Sequence, residues 1–193
     1  MADLILASSS PRRKDFVSKL GLSFDIVVPD IDESVAQGES ACNYVKRMAY
    51  QKASLVAHSY HQKIVLAADT IVVCDDVIVG KPVNRDDAKR ILRMLSGRTH
   101  EVMTAVCIKR ADKCCQLLEV AEVTFAPLSE ELIDTYVASG ECDDKSGAYA
   151  VQGIGAMLIE RVCGSVSTVV GLPICQVRCA LEDFGLKVRT VSV

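Results

Sequence analysis

The chain has 193 residues, half of them hydrophobic and 24% charged, with a formal net charge of -3 at pH 7. That length suffices for one domain, or for two closely joined lobes, with a sizeable buried core. The slightly acidic balance, the 5% aromatic content and the absence of Trp exclude a basic nucleic-acid stripe, a stacking platform for single strands and a general attraction to membrane surfaces.

The opening MADLILASSS is too briefly apolar for a secretory core region and lacks a basic lead-in, so LILAS is expected as a buried strand. Ser10 then caps a helix whose first position is Pro11, with Phe16, Val17 and Leu20 facing inward and Gly21 as its stop. SFDIVV reads as a second strand, followed by the acidic loop DIDES. From Glu39 to about His58 the apolar spacing is helical. KIVLAADTIVVCDD is the strongest strand signal, turning at Asp75 and Asp76 into the returning VIVGKP.

Asn84 caps a helix through NRDDAKRILRMLSG that stops at Gly97. HEVMTAVCIKR and CQLLEVAEVTFAP are expected to pair around ADK, and SEELIDTYVASG forms a helix capped by Ser129. A glycine-punctuated stretch follows, and LPICQVRCALEDFG is a last helix. Strands alternating with helices, together with hairpins, give a mixed-sheet α/β fold without a linker or repeat. No segment approaches the ~20 apolar residues of a membrane span. The nine cysteines are odd in number and contain no Cys-x-x-Cys pair, which is the pattern of free thiols in a reducing, cytoplasmic compartment.

Three segments place polar groups beside apolar strands: LASSSPRR, AADTIVV with GKP behind it, and DKSGAYAVQGIG. In α/β folds ligands collect beyond strand ends. Ser8, Arg12, Arg13 and helix N-terminal amides suit a phosphate chain, although an arginine pair on a first turn also makes an ordinary solvated face. Asp69 interrupts an apolar strand, so its charge needs a cation, a metal or a reaction unless it merely caps a turn. The return strand would carry Lys81 back toward Asp69, either as a plain ion pair or as half of a phosphate-and-metal site. Glu33 and Lys52 carry little signal individually. His58, His61 and His100 are not candidate bases.

These motifs, with RMLSGRTHEVMTAV between them and GAYAVQGIGAMLIERVCGSVSTVVGLP after them, resemble the Maf family of nucleoside triphosphate pyrophosphatases from about Leu4 to about Pro173. The resemblance implies a mixed α/β sheet with flanking helices in two lobes around a deep cleft, similar to the inosine triphosphate pyrophosphatases. It implies cleavage of a nucleotide between its α- and β-phosphates with a divalent cation, Mg²⁺ or Mn²⁺, and a homodimer. Asp69 falls on the family's proton acceptor, and Ser8, Arg13, Glu33, Lys52 and Lys81 fall on its polar cleft positions. Glu33 and Asp69 would hold the ion. Whether Asp69 serves as base, ligand or both stays open at this level.

Arg12, Thr70 and Gln152 match the family branch that acts on dTTP and UTP. A Gln amide carries both a donor and an acceptor group, which suits the O4 and N3–H of uracil or thymine, whereas guanine's paired donors favour a carboxylate. The resemblance therefore implies hydrolysis of dTTP, UTP and modified uridine triphosphates. Two alternatives stand beside it: a pyrophosphatase for 7-methyl-GTP or for ITP and XTP, and a non-catalytic nucleotide-binding regulator of cell division. The partner expected is the nucleotide itself, not nucleic acid or membrane.

Overall fold

A computed structural model describes residues 3–188. Leu4, Ile5 and Leu6 form β1 (Leu4–Leu6), and all three are buried. Parallel strands flank β1 on both sides, β2 (Phe24–Ile26) and β3 (Ile64–Cys74). A parallel strand covered on both faces needs a continuous apolar run, which is why LILA does not alternate. Between β1 and β2 lies α1 (Pro11–Lys19), where the Arg13 N–H donates to Ser10 Oγ at 3.4 Å and Gly21, at φ +65°, supplies the left-handed exit.

After β2 the chain runs without regular structure to α2 (Ala41–Ser59), capped by Ser40. β3 then turns through Asp75 and Asp76, at φ 50° and 62°, into antiparallel β4 (Val77–Val79). Two left-handed residues in succession match the twist that a two-residue hairpin requires. The remaining elements are α3 (Arg85–Leu95), β5 (Thr99–Arg110), β6 (Lys113–Phe125), α4 (Glu130–Ala138), β7 (Ile159–Cys163), α5 (Val166–Val170) and α6 (Ile174–Asp183). They complete a seven-stranded mixed sheet of order β2-β1-β3-β5-β6-β7, with β4 attached to β3.

The chain divides into two compact units, each with its own core. The first comprises residues 3–69, 104–119 and the described residues from Gly171 on. Its core packs Leu4, Leu6, Ile64 and Leu66 with Val17 of α1, Leu20 at its C-terminal end, and Val177 and Leu181 of α6. The second comprises Thr70–Met103 and Val120–Val170. There Ala88, Ile91, Leu92 and Leu95 form one stripe of α3 at helical spacing and share a core with Phe125 and with Ile133, Tyr136 and Val137 of α4. The chain crosses between units inside β3, β5 and β6 and once more after Val170, so no linker separates them.

Asp69 lies inside its strand, as KIVLAADTIVVCDD predicts: β3 continues for five residues beyond it to Cys74, so Asp69 does not cap a turn. Two expectations change. DKSGAYAVQGIG does not follow a strand. It comes after α4 and contains a short 3-10 turn at Ser146–Ala148 and the start of another at Ile154–Leu158. The helix expected from Glu39 begins at Ala41, because Ser40 is the residue whose side chain caps it. β7, which pairs antiparallel with β6, lies within the stretch read only as glycine-punctuated. No described helix is long and apolar enough to cross a membrane.

Candidate active site

In the first unit, Lys52 on α2 holds two carboxylates. Its Nζ donates to Asp69 Oδ1 at 2.7 Å and lies 2.6 Å from Glu33 Oε1. The side chains of Lys52 and Asp69 are only 12% and 14% exposed, whereas Glu33 is 52% exposed. Burying the Asp69 charge would be costly without a counterion, and Lys52 supplies it. The plain ion pair foreseen for Asp69 thus exists, but with Lys52 as its cation.

Arg13 approaches from α1. Its Nε donates to the Gly171 carbonyl oxygen at 2.8 Å and its Nη1 to Ser8 Oγ at 3.4 Å. Ser8, itself buried, also accepts the Ser10 N–H at 3.1 Å. Burial pulls the Arg13 guanidinium below its ordinary pKa, opposed by the negative charges of Asp69 and Glu33, while Arg12 adds like-charge repulsion. Arg13, Lys52, Asp69 and Glu33 are thus two cations interacting with two anions. Ser8, Arg13, Glu33, Lys52 and Asp69, chosen from separate motifs, come together through β1, α1, the acidic loop, α2 and β3.

Two residues of the site carried no sequence signal of their own. The Tyr44 hydroxyl donates to the Glu33 carbonyl oxygen at 2.8 Å, and burial followed by the charges of Asp69 and Glu33 pushes its pKa up to about 12. Arg47, one turn further along α2, donates to the Ser34 carbonyl oxygen at 2.9 Å and clamps Glu39 with two bonds of 2.6 and 2.7 Å. The clamp holds the Glu39 carboxyl down at about 2. An irregular acidic loop is thereby fixed to a helix that also presents Lys52. Tyr44 is buried and Arg47 half-buried on an amphipathic helix, where only the folded chain distinguishes an anchor from a packing or solvated side chain.

Thr70, Lys81 and Gln152 belong to the second unit. Lys81 is exposed and lies just after β4, and the carbonyl oxygen of the preceding Gly80 accepts the Gly147 N–H at 3.1 Å. That bond ties the GKP turn to the DKSGAY segment. Gln152 is exposed on the loop between the two 3-10 turns. His100 is buried in this unit, with Nε2 2.8 Å from the Tyr149 hydroxyl and its ring edge-on to Phe125. It is a core residue.

Residues 3–184 match the family described as Maf-like protein. A dTTP/UTP pyrophosphatase of Hahella chejuensis is 46% identical over 188 residues, covering 96% of this chain and 94% of its own length. A dTTP/UTP pyrophosphatase of Bacillus cereus is 45% identical over 188 residues, covering 97% of this chain and 98% of its own length. Among solved structures, a nucleoside-triphosphatase described as a dITP/XTP pyrophosphatase from Mycobacterium abscessus aligns with a TM-score of 0.49 and 12% identity over 94% of each chain.

Proposed function

The chain belongs to the Maf-like proteins, and from that premise we propose that it hydrolyses dTTP and UTP to the nucleoside monophosphate and pyrophosphate. The observation that carries this reading is the meeting of Asp69, Lys52, Glu33, Arg13 and Ser8 in one unit, with the acid buried and held by a lysine. The nearly full-length similarity to two dTTP/UTP pyrophosphatases supports the choice of substrate.

The donor set fits a hard divalent cation. Oxygens of Glu33 and Asp69 lie within 2.7 Å of the same ammonium nitrogen, so both carboxylates already face one small volume. Among the described residues no cluster of three or more His, Cys, Asp or Glu forms a closed cage, so an ion held by these two acids would draw its other ligands from phosphate and water. When bound, such an ion supplies charge neutralisation and polarises a phosphoryl oxygen.

The chain's own residues do the rest. Attack on the α-phosphorus adds electron density to oxygens that already repel a nucleophile. The Arg13 guanidinium, with its Nε fixed on Gly171, presents a preorganised positive group toward those oxygens and needs no reorganisation as charge develops. Lys52 supplies a second cation, and we assign Lys81 to substrate binding, as the family resemblance implies. Asp69 accepts a proton from the attacking water or orients it. Thr70, Arg12 and Gln152 are the positions we assign to base choice, with the Gln152 amide pairing to the O4 and N3–H of the pyrimidine. We place the enzyme in the cytoplasm and expect a homodimer.

The test is turnover of the purified chain on a panel of dTTP, UTP, CTP, GTP, ITP and 7-methyl-GTP, with and without Mg²⁺ or Mn²⁺. Fastest turnover on dTTP and UTP, dependent on the cation, is the expected result. A panel led by 7-methyl-GTP or ITP would contradict the base assignment, and metal-dependent turnover of no nucleotide would favour a binding role.

A further inference from the structure

The loop that carries Gln152 is tied down by two side chains, Tyr136 in the last turn of α4 and Glu141 just beyond it. The Glu141 carboxylate accepts the Ile154 N–H at 3.0 Å through Oε1 and the Gly155 N–H at 2.7 Å through Oε2. The hydroxyl of Tyr136, whose ring is fully buried, donates to the same Oε2 at 3.0 Å and accepts the Ala150 N–H at 3.2 Å. Backbone donors on both sides of Gln152 are therefore fixed to one Tyr–Glu pair. The 154 and 155 amides begin a 3-10 turn and have no partner within it, so the carboxylate supplies what the turn lacks.

Fit around this pair is close enough to exclude side chains. A Cβ on Gly153, whose φ is +88°, would lie 2.1 Å from Glu141 Oε1. One on Gly155 would lie 2.3 Å from the Ala150 carbonyl oxygen and 2.8 Å from the Tyr136 hydroxyl. The glycines of QGIG thus let the loop close onto Glu141, while the Gln152 side chain stays exposed at its crest. A short loop immobilised from behind, with one exposed amide, is a preorganised reading head.

We infer that Glu141 and Tyr136 are positioning residues for nucleobase choice, acting through the backbone that carries Gln152. This rests on the reading of Gln152 as the group that pairs with the pyrimidine. A carboxylate is required because three donors converge on it, two N–H groups and one O–H, and a Gln in its place would turn an NH₂ group toward one of them. Neither residue belongs to the group of Ser8, Arg13, Glu33, Lys52 and Asp69, so loosening the loop should weaken base pairing without changing the chemical step.

The experiment measures kcat and KM for UTP and GTP in the full chain and in Gln152→Ala, Glu141→Gln, Tyr136→Phe and the Glu141→Gln/Gln152→Ala double variant. Tyr136→Phe deletes one oxygen and keeps the buried ring, so it decides the question if Glu141→Gln does not fold. The expected result is that each single variant lowers the UTP-to-GTP ratio of kcat/KM by about tenfold. The change should come from a raised KM for UTP at nearly constant kcat, and Glu141→Gln should add nothing in the Gln152→Ala background. If Gln152→Ala lowers the ratio while Glu141→Gln and Tyr136→Phe reduce both substrates equally, the pair is a structural brace and the inference fails with the base reading intact. If Gln152→Ala leaves the ratio unchanged, the base reading itself fails, and the inference with it.

Discussion

Asp69 and Lys52 share a 2.7 Å hydrogen bond in a nearly buried setting, so the contribution of the Asp69 charge can be isolated. Asp69→Asn preserves shape and leaves Lys52 with Glu33 as its counterion. It should lower kcat/KM on UTP by at least about 10²-fold, the scale of a positioned acid–base group. The thermal midpoint measured alongside should stay within a few degrees, so that the loss is one of chemistry. Near-full activity would remove Asp69 from the mechanism.

His100 gives a second prediction at this scale. Burial pulls its pKa from the ordinary 6.5 to about 4, and its Nδ1 has no hydrogen-bond partner. The folded chain therefore keeps this imidazole neutral in a range where the unfolded chain protonates it. Its contribution to stability is complete above about pH 6.5 and is lost as the pH falls toward 4, amounting to no more than about 3 kcal/mol. Urea unfolding between pH 4.5 and 7.5 should show a shallower pH dependence for His100→Gln than for the parent chain. Asp75, Asp76, Glu101 and Glu122, which line a surface cavity with His100, are present in both proteins, so the difference isolates the imidazole. Identical slopes would contradict the assignment.

Among the elements, α3 shows how much a helix start owes to its cap. Asn84 Oδ1 accepts the Asp87 N–H at 2.8 Å, and the Asp87 carboxylate reaches back to the Val83 N–H at 3.1 Å. Asn84→Ala removes half of this reciprocal arrangement and should cost about 1 kcal/mol, read as a lower urea midpoint with an unchanged m-value. The signals for α1, α3, α4 and the β3–β4 hairpin were legible in sequence because capping residues, helical stripes and a pair of turn aspartates are local. β7 was not legible. LIERVC is short and mostly exposed, and it becomes a strand only because β6 offers it an edge. The Glu141 brace was hidden for a related reason, since its bonds join residues 13 and 14 positions apart with no period to announce them.

For the molecule as a whole, the mixed α/β class follows from the alternation of strands and helices, and the seven-stranded sheet agrees with it. The division into two cores was not readable from periodicity, because β3, β5 and β6 each continue as one strand through both units. The candidate site was legible where motifs are dense, at Ser8, Arg13 and Asp69. Tyr44 and Arg47, which fix the acidic loop, emerged only when α2 was seen to face it. The central claim is that this assembly directs water to the phosphorus next to the sugar. Hydrolysis of UTP in ¹⁸O-labelled water with Mg²⁺, analysed by mass spectrometry, tests it most directly. The expected products are UMP and pyrophosphate in equal amounts with the label in UMP; UDP with inorganic phosphate, or label in the pyrophosphate, would contradict the account.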